Sequence, residues 1–199
     1  MINHKHKFIF VHIGRTGGSS IEHILNPTVN LDTNKRTKNT GNTAFKGKHM
    51  FAVKYKTKHR KEFDTYFKFA FVRNPWDREV SSFKWFKLAL NRGVTFSEHI
   101  KRRNSAREGG RLGPINKMGF NRWLCDANGE NLLDFVGRFE DLQHDFNIIC
   151  DKIKIPRQQL PHTNKTEHRH YTEYYDDETK GLVAERYKKD IETFGYEFK

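Results

Sequence analysis

The sequence has few cysteines and no long apolar stretch, and both absences restrict what the protein can be. Only Cys125 and Cys150 occur among the 199 residues, and no CxxC spacing is present. This pattern supports neither a disulfide framework nor a zinc site, and it favours a reducing compartment. No apolar run is long enough for a signal peptide or a membrane span. We therefore expect a soluble, cytoplasmic protein with no membrane span.

Apolar residues are scarce as well. They make up 35% of the chain, although 17 Phe, 7 Tyr and 3 Trp supply large groups that can be buried. The apolar residues cluster into short runs, which argues against a disordered chain. A chain of 199 residues is long enough for one domain with a sizeable core. We predict a single globular domain over residues 1–199.

Acidic residues are outnumbered by basic ones. The chain carries 37 Lys and Arg against 24 Asp and Glu, which gives a formal net charge of +13 and a pI near 9.7. Such an excess indicates an anionic partner, and nucleic acid, acidic polysaccharide, a phosphorylated cofactor and membrane headgroups all stay open. A solvated lysine-rich surface would explain part of the same excess. No nucleic-acid-binding motif is recognisable, so that class rests on charge alone.

Apolar runs alternate with segments of helical spacing along the chain. The predicted strands are residues 7–12, 67–72 and 132–139. Three helices are predicted from their end signals: one after the N-caps Ser19 and Ser20, one over 76–90 that follows Pro75, and one from the Thr95/Glu98 capping box to residue 102. Further helices are predicted over 50–63, over 140–153, and over 177–193, where Gly195 is the expected C-cap. Residues 26–48 and 103–117 are expected to be loops. This alternation predicts an α/β fold with a largely parallel sheet flanked by helices.

The stretch GRTGGSS, residues 14–20, follows the first predicted strand and precedes a helix. Backbone N–H groups and three hydroxyls would converge at a helix N-terminus there, which favours an oxyanion. Arg15 adds a guanidinium suited to phosphate. The triphosphate signature GxxxxGK[ST] is absent. The candidate anion-binding residues are Arg15, Thr16, Gly17, Gly18, Ser19 and Ser20. A tight turn that needs glycine for steric reasons is the alternative.

A second motif, FVRNPWDREVSS over residues 71–82, spans the end of the second predicted strand and the helix after it. Arg73 stands where a strand of an open α/β sheet meets the ligand crevice, and Ser81 lies two helical turns further on. Arg73 and Ser81 could therefore bind the same anion. Arg78 falls on a different helical face, where a structural ion pair is expected. For Arg73 alone, a surface salt bridge is the alternative.

These two motifs together resemble the sulfotransferases that use 3′-phosphoadenosine 5′-phosphosulfate (PAPS), and most closely the carbohydrate-directed group. The segments DFVGRFEDL, LPHTNKT and YYDDET resemble that group too. The resemblance implies a P-loop-like three-layer fold whose GRTGGSS loop holds the 5′-phosphosulfate, while Arg73 and Ser81 hold the 3′-phosphate. It implies PAPS as co-substrate, no metal, and a hydroxyl acceptor of carbohydrate type. Arg15 stands where the family most often has lysine.

Transfer to a hydroxyl also needs a base, and histidine suits that task at neutral pH. Among 11 histidines, His49 in GKHMF is the first candidate, because it resembles the family's short "GH" segment after the first helix. A surface histidine is the alternative. His12, expected on the strand beneath the loop, and Glu22 are weaker candidates. The residues expected beside the ligand are His162, His168 and His170, together with Lys165 as a nucleotide contact.

Two other functions compete with sulfuryl transfer. A nucleotide or small-molecule kinase would share the loop architecture but use ATP and magnesium, and the absence of a Gly-Lys pair counts against it. A nucleic-acid-binding module is supported by charge alone. Oligomeric state and the identity of the acceptor are not predicted.

Overall fold

The computed structural model describes residues 1–25, 49–90, 93–105, 119–161 and 169–199. The chain divides into two compact units, one built from residues 1–72 and 123–164 and the other from 73–122 and 165–199. Each unit draws on two separate stretches of sequence, so each is described by itself. The single domain predicted over 1–199 stays a prediction.

The first unit contains a four-stranded sheet in the order β1-β2-β3-β4. Its strands are β1 (Ile2–Asn3), β2 (Phe8–Val11), β3 (Phe67–Val72) and β4 (Phe135–Arg138). β2 pairs parallel with β3, and β3 pairs parallel with β4, whereas the short edge strand β1 pairs antiparallel with β2. The α/β prediction with a mainly parallel sheet is therefore confirmed.

Helices cover both faces of this sheet. They are α1 (Gly18–Leu25), α2 (Ala52–Lys58), α3 (Arg60–Thr65) and α7 (Leu142–Lys152). Four strand phenylalanines share one core with apolar side chains of α1 and α7: Phe8, Phe10, Phe69 and Phe71. On the opposite face the ammonium of Lys68 lies 5.3 Å from the ring centre of Phe63 in α3. Since side chains alternate across a strand, the sheet is sandwiched between helices, as the three-layer prediction requires.

Three details of this unit differ from the prediction. The helix expected over 50–63 is interrupted at His59, whose φ of −133° is not helical. The strand expected over 132–139 is only four residues long. Ser19 and Ser20 are not N-caps, because α1 already begins at Gly18 and the Gly17 carbonyl accepts the Ser20 N–H at 3.0 Å. Two consecutive glycines let the chain turn into the helix earlier than the serines would.

The second unit is helical. It contains α4 (Pro75–Leu90), α5 (Phe96–Ser105), a 3₁₀ turn (Tyr171–Tyr174), α8 (Asp177–Arg186) and α9 (Lys188–Phe194), and α6 (Phe120–Leu124) begins in it. Both hydrogen bonds of the Thr95/Glu98 capping box are present, at 3.0 and 3.3 Å. Gly195 ends α9 with a φ of 62°, as its predicted C-cap position requires. The helix expected over 177–193 is interrupted at Tyr187, whose φ is −108°.

Candidate active site

The loop between β2 and α1 turns through two left-handed residues. Arg15 has a φ of 70° and Gly17 a φ of 78°. The conformation is costly for arginine, which has a Cβ, and natural for glycine. Thr16 is fully buried, and its hydroxyl donates to the Ile13 carbonyl at 2.9 Å. The Thr16 side chain therefore braces the loop from inside, while Arg15, Ser19 and Ser20 are half-buried.

Both glycines of this loop lie where a side chain would collide. A Cβ on Gly17 would come within 2.8 Å of Leu142 Cδ2, and a Cβ on Gly18 within 2.3 Å of His12 Nε2. The steric explanation considered for the glycines thus holds at both positions. It does not exclude an anion site, because glycine N–H groups at the start of a helix can still bind an anion.

Beneath the loop, His12 and Glu22 form a buried pair. His12 Nδ1 lies 2.7 Å from Glu22 Oε1, and the two residues are only 4% and 6% exposed. The His12 ring also stacks on Phe10, with centroids 5.5 Å apart. The sequence predicts His12 on the strand, but β2 ends at Val11, and His12 follows it with its ring against Gly18. Its pairing with Glu22 was not anticipated, although the ten-residue spacing from strand end to helix face could have suggested it.

His49 lies against the residue that begins the loop. Its Nδ1 is 2.9 Å from the main-chain carbonyl of His12, and the two imidazole rings meet edge to face at 4.7 Å. A carbonyl can only accept, so Nδ1 of His49 carries the hydrogen and Nε2 is the basic nitrogen of the neutral ring. Trp123, which sequence reasoning overlooked, lies edge-on to His49 at 6.2 Å. The structure thus places His49 against His12, two residues before the GRTGGSS segment, inside the first unit.

The second motif belongs to the other unit. Arg73, 6% exposed, follows the last residue of β3, and its Nε donates to Asp77 Oδ2 at 2.8 Å. Asp77 and the buried Ser81 are four residues apart, so they share one face of α4. The ion pair considered for Arg73 exists, but it is buried rather than superficial. It ties the guanidinium to the helix face that carries Ser81.

Asn74 fixes the backbone beside Arg73, a role that sequence reasoning overlooked. Its Oδ1 accepts the Trp76 N–H at 3.0 Å, which caps the start of α4. Its amide nitrogen donates to the Glu197 carbonyl at 2.9 Å and to the Tyr171 hydroxyl at 3.4 Å. The residue after Arg73 is therefore anchored from two sides.

Arg78 lies on another face of α4, as expected. Its guanidinium sits 4.6 Å above the Phe120 ring, and the residue is 2% exposed. Burial lowers the pKa of Arg78, while the charges of Tyr187, Glu79 and Asp190 counteract that shift. Arg78 is therefore a structural residue of the second unit.

Glu79 is the centre of a buried charge network in the same unit. Arg103 Nε lies 2.8 Å from Glu79 Oε2, and the Tyr187 hydroxyl donates to Glu79 Oε1 at 2.6 Å. Burial opposes the charge of Glu79, yet Arg103, the Tyr187 hydrogen bond and the His99 ring, whose Nε2 lies 3.7 Å from Glu79 Oε2, hold its pKa well below the usual value. Burial and the Glu79 charge in turn raise the pKa of Tyr187 to about 12.

A family model described as the sulfotransferase family matches residues 1–197. The chain belongs to the sulfotransferase family. It is also similar to an uncharacterized protein of Archaeoglobus fulgidus, with 27% identity over 111 residues that cover 50% of this chain and 77% of that protein. No solved structure matches it significantly. The resemblance stated from the motifs is confirmed at the level of this family.

Most of the residues predicted to lie beside the ligand in the C-terminal loop are outside the described part of this sulfotransferase-family chain. Lys165, His162 and His168 fall outside the described residues. His170 is described; it is exposed, and its Nδ1 lies 2.8 Å from Thr172 Oγ1. Within the described ranges, no helix is long and apolar enough to cross a membrane. The same ranges hold no cluster of three metal-binding side chains.

Proposed function

We propose that this sulfotransferase-family protein transfers the sulfuryl group of PAPS to a hydroxyl acceptor, with His49 as the base. The observation that carries the proposal is the position of His49. Its Nδ1–H donates to the His12 carbonyl at 2.9 Å, so Nε2 is the basic nitrogen of the neutral ring and would take the acceptor proton.

The loop between β2 and α1 would hold the 5′-phosphosulfate. Backbone N–H groups at the start of an eight-residue helix favour an anion, and Gly17 and Gly18 themselves add no side chain there. Arg15 would add a full charge, and Thr16, Gly17, Gly18, Ser19 and Ser20 would supply the surrounding donors. Arg73 and Ser81 would bind the 3′-phosphate, and Lys165 would contact the nucleotide, as the family resemblance implies.

In the proposed reaction the acceptor oxygen attacks sulfur in line with the bond to the 5′-phosphate. The new sulfur–oxygen bond forms as the old one breaks, and the acceptor proton passes to His49 Nε2. Negative charge then develops on the departing phosphate, where Arg15 and loop N–H groups would stabilise it. Residues of the chain supply this stabilisation, so the proposal needs no metal.

The acceptor is proposed to be a carbohydrate. This part rests on the resemblance to the carbohydrate-directed group, and the net charge of +13 is compatible with an acidic glycan. The product nucleotide would be 3′-phosphoadenosine 5′-phosphate (PAP).

Thermal unfolding with two nucleotides tests the donor. We expect PAP to raise the melting temperature of the protein, because a ligand that binds only the folded state stabilises it. ATP with magnesium should have a much smaller effect. Stabilisation by ATP–magnesium without stabilisation by PAP would instead favour a kinase.

The His49→Ala variant tests the base. We expect PAP release from PAPS, with desulfated chondroitin as acceptor, to slow by about 10²- to 10⁴-fold while PAP affinity is retained. His23→Ala is the matched control, since His23 is exposed on α1 and should leave turnover unchanged. Wild-type turnover in His49→Ala would remove His49 from the mechanism.

A further inference from the structure

We propose that Glu22 is a positioning residue which fixes the tautomer of the His12 imidazole and, through that ring, the start of α1 and the ring of His49. The inference rests on the proposed role of His49 as base and assigns that base a supporting pair. It follows from three contacts that converge on His12.

The first contact is the buried pair itself. A carboxylate that is 6% exposed requires a hydrogen-bonding partner, and His12 Nδ1 lies 2.7 Å away. An ionised carboxylate only accepts, so Nδ1 of His12 carries the hydrogen. The bond therefore determines which edge of the His12 ring faces α1.

The second contact is the opposite edge of the same ring. Nε2, Cδ2 and Cε1 of His12 lie 2.3, 2.4 and 2.9 Å from the point that a Cβ on Gly18 would occupy. The ring fills the space left by the missing side chain, and Phe10 stacks on its face at 5.5 Å. A rotation of the His12 ring would therefore push against the first residue of α1.

The third contact joins His12 to His49. The His12 carbonyl accepts from His49 Nδ1 at 2.9 Å, and the two rings touch edge to face at 4.7 Å. The main-chain carbonyl of His12 thus determines which nitrogen of His49 is basic, whereas the His12 imidazole restrains the His49 ring. Because Glu22 holds His12, a change at Glu22 should reach both the loop and His49.

The test is Glu22→Gln, which keeps the size of the side chain and removes its charge. Nitrogen-15 NMR of labelled histidines reads the His12 tautomer, and calorimetry reads the affinity for PAP. We expect a mixture of His12 tautomers in place of the Nδ1–H form, because the glutamine amide both donates and accepts, together with a PAP dissociation constant raised about tenfold. A wild-type value in either measurement overturns the proposal.

His12→Asn provides a second route if Glu22→Gln does not fold. The asparagine amide can still donate to Glu22, so the buried carboxylate stays paired, but the ring edge against Gly18 and His49 is lost. We expect the PAP dissociation constant to rise about tenfold here too. If His12→Asn keeps the wild-type PAP affinity, the proposal fails.

Asp145→Asn is the structural control. Asp145 Oδ2 accepts the Arg138 N–H at 2.6 Å in the same unit, and no contact described here links it to His12. We expect a lower melting temperature with an unchanged tautomer and unchanged PAP affinity; equal effects from Asp145→Asn would mean general loosening and overturn the proposal. A wild-type protein that does not bind PAP would count against the proposed function, whereas the tautomer measurement would still test Glu22.

Discussion

Residues 14–20 and residues 73–81 are both motifs of the sulfotransferase resemblance, but they owe their shapes to different forces. In the first, the backbone turns through Gly17 at a φ of 78°, and Gly18 has no side chain where the His12 ring needs room. In the second, buried charges dominate, with Arg73 on Asp77 at 2.8 Å and Glu79 on Arg103 at 2.8 Å.

The difference determines which substitutions each motif can accept. The loop is sensitive to an added methyl group, because close packing leaves no space for it. The helix motif is sensitive to a removed charge, because the partner would then be buried without compensation. Neutral changes of size should be tolerated better in the second motif than in the first.

Glu79→Ala should have the largest effect on stability. It leaves the Arg103 guanidinium, 5% exposed, without its carboxylate, and we expect the free energy of unfolding to fall by about 3–5 kcal/mol. Urea denaturation followed by circular dichroism measures the loss. The control is Glu178→Ala, whose ion pair with Lys101 joins side chains that are 61% and 49% exposed, and it should leave stability almost unchanged. Similar losses in both variants would contradict the buried-charge explanation.

The same carboxylate predicts a pH dependence. The pKa of Glu79 is lower in the folded protein than in the unfolded chain, so the unfolded state takes up the proton first as the pH falls. Its stabilising contribution is complete above the ordinary glutamate pKa of 4.5 and decreases below it. The stability difference between wild type and Glu79→Gln should therefore shrink as the pH falls from neutral to 3. A difference that stays constant would show that the Glu79 charge contributes nothing.

Gly18→Ala tests the loop with a smaller expected loss. Alanine favours helices more than glycine does, so any destabilisation reports the collision with the His12 ring. We expect a loss of about 1–3 kcal/mol and weaker PAP binding. Gly181 is the matched control, because it lies in α8 and a Cβ there meets nothing within 4 Å. Gly181→Ala should be neutral or stabilising; an equally neutral Gly18→Ala would show that the loop has room to spare.

The sequence predicted those structural elements whose causes lie within a few residues, and it missed those that depend on distant residues. The strand Phe67–Val72 and the helix that begins at Pro75 were predicted correctly, since an apolar run and a proline act within a few residues. The interruptions at His59 and Tyr187 carry no glycine or proline signal. Tyr187 also bonds to Glu79, 108 residues away, which no local pattern reveals.

In the candidate site, too, local features were predicted and contacts between distant residues were not. The glycine loop between a strand and a helix followed from the sequence around it. The contact of His49 with the His12 carbonyl joins residues 37 positions apart, so no local pattern reveals it. Asn74 was overlooked because its partners lie 97 and 123 residues away.

Arg73→Ala tests whether the helix motif binds the ligand, and it has the smallest expected effect of these substitutions. If Arg73 binds the 3′-phosphate, the affinity for PAP should fall at least about tenfold, while that for adenosine 5′-phosphate should change little, because only PAP carries the 3′-phosphate. Calorimetry with both nucleotides measures the two losses. Arg60→Ala is the matched control, since Arg60 forms the same i,i+4 pair with Asp64 but is 71% exposed. Equal losses for both nucleotides would reassign Arg73 to the stability of α4, where its bond to Asp77 already contributes.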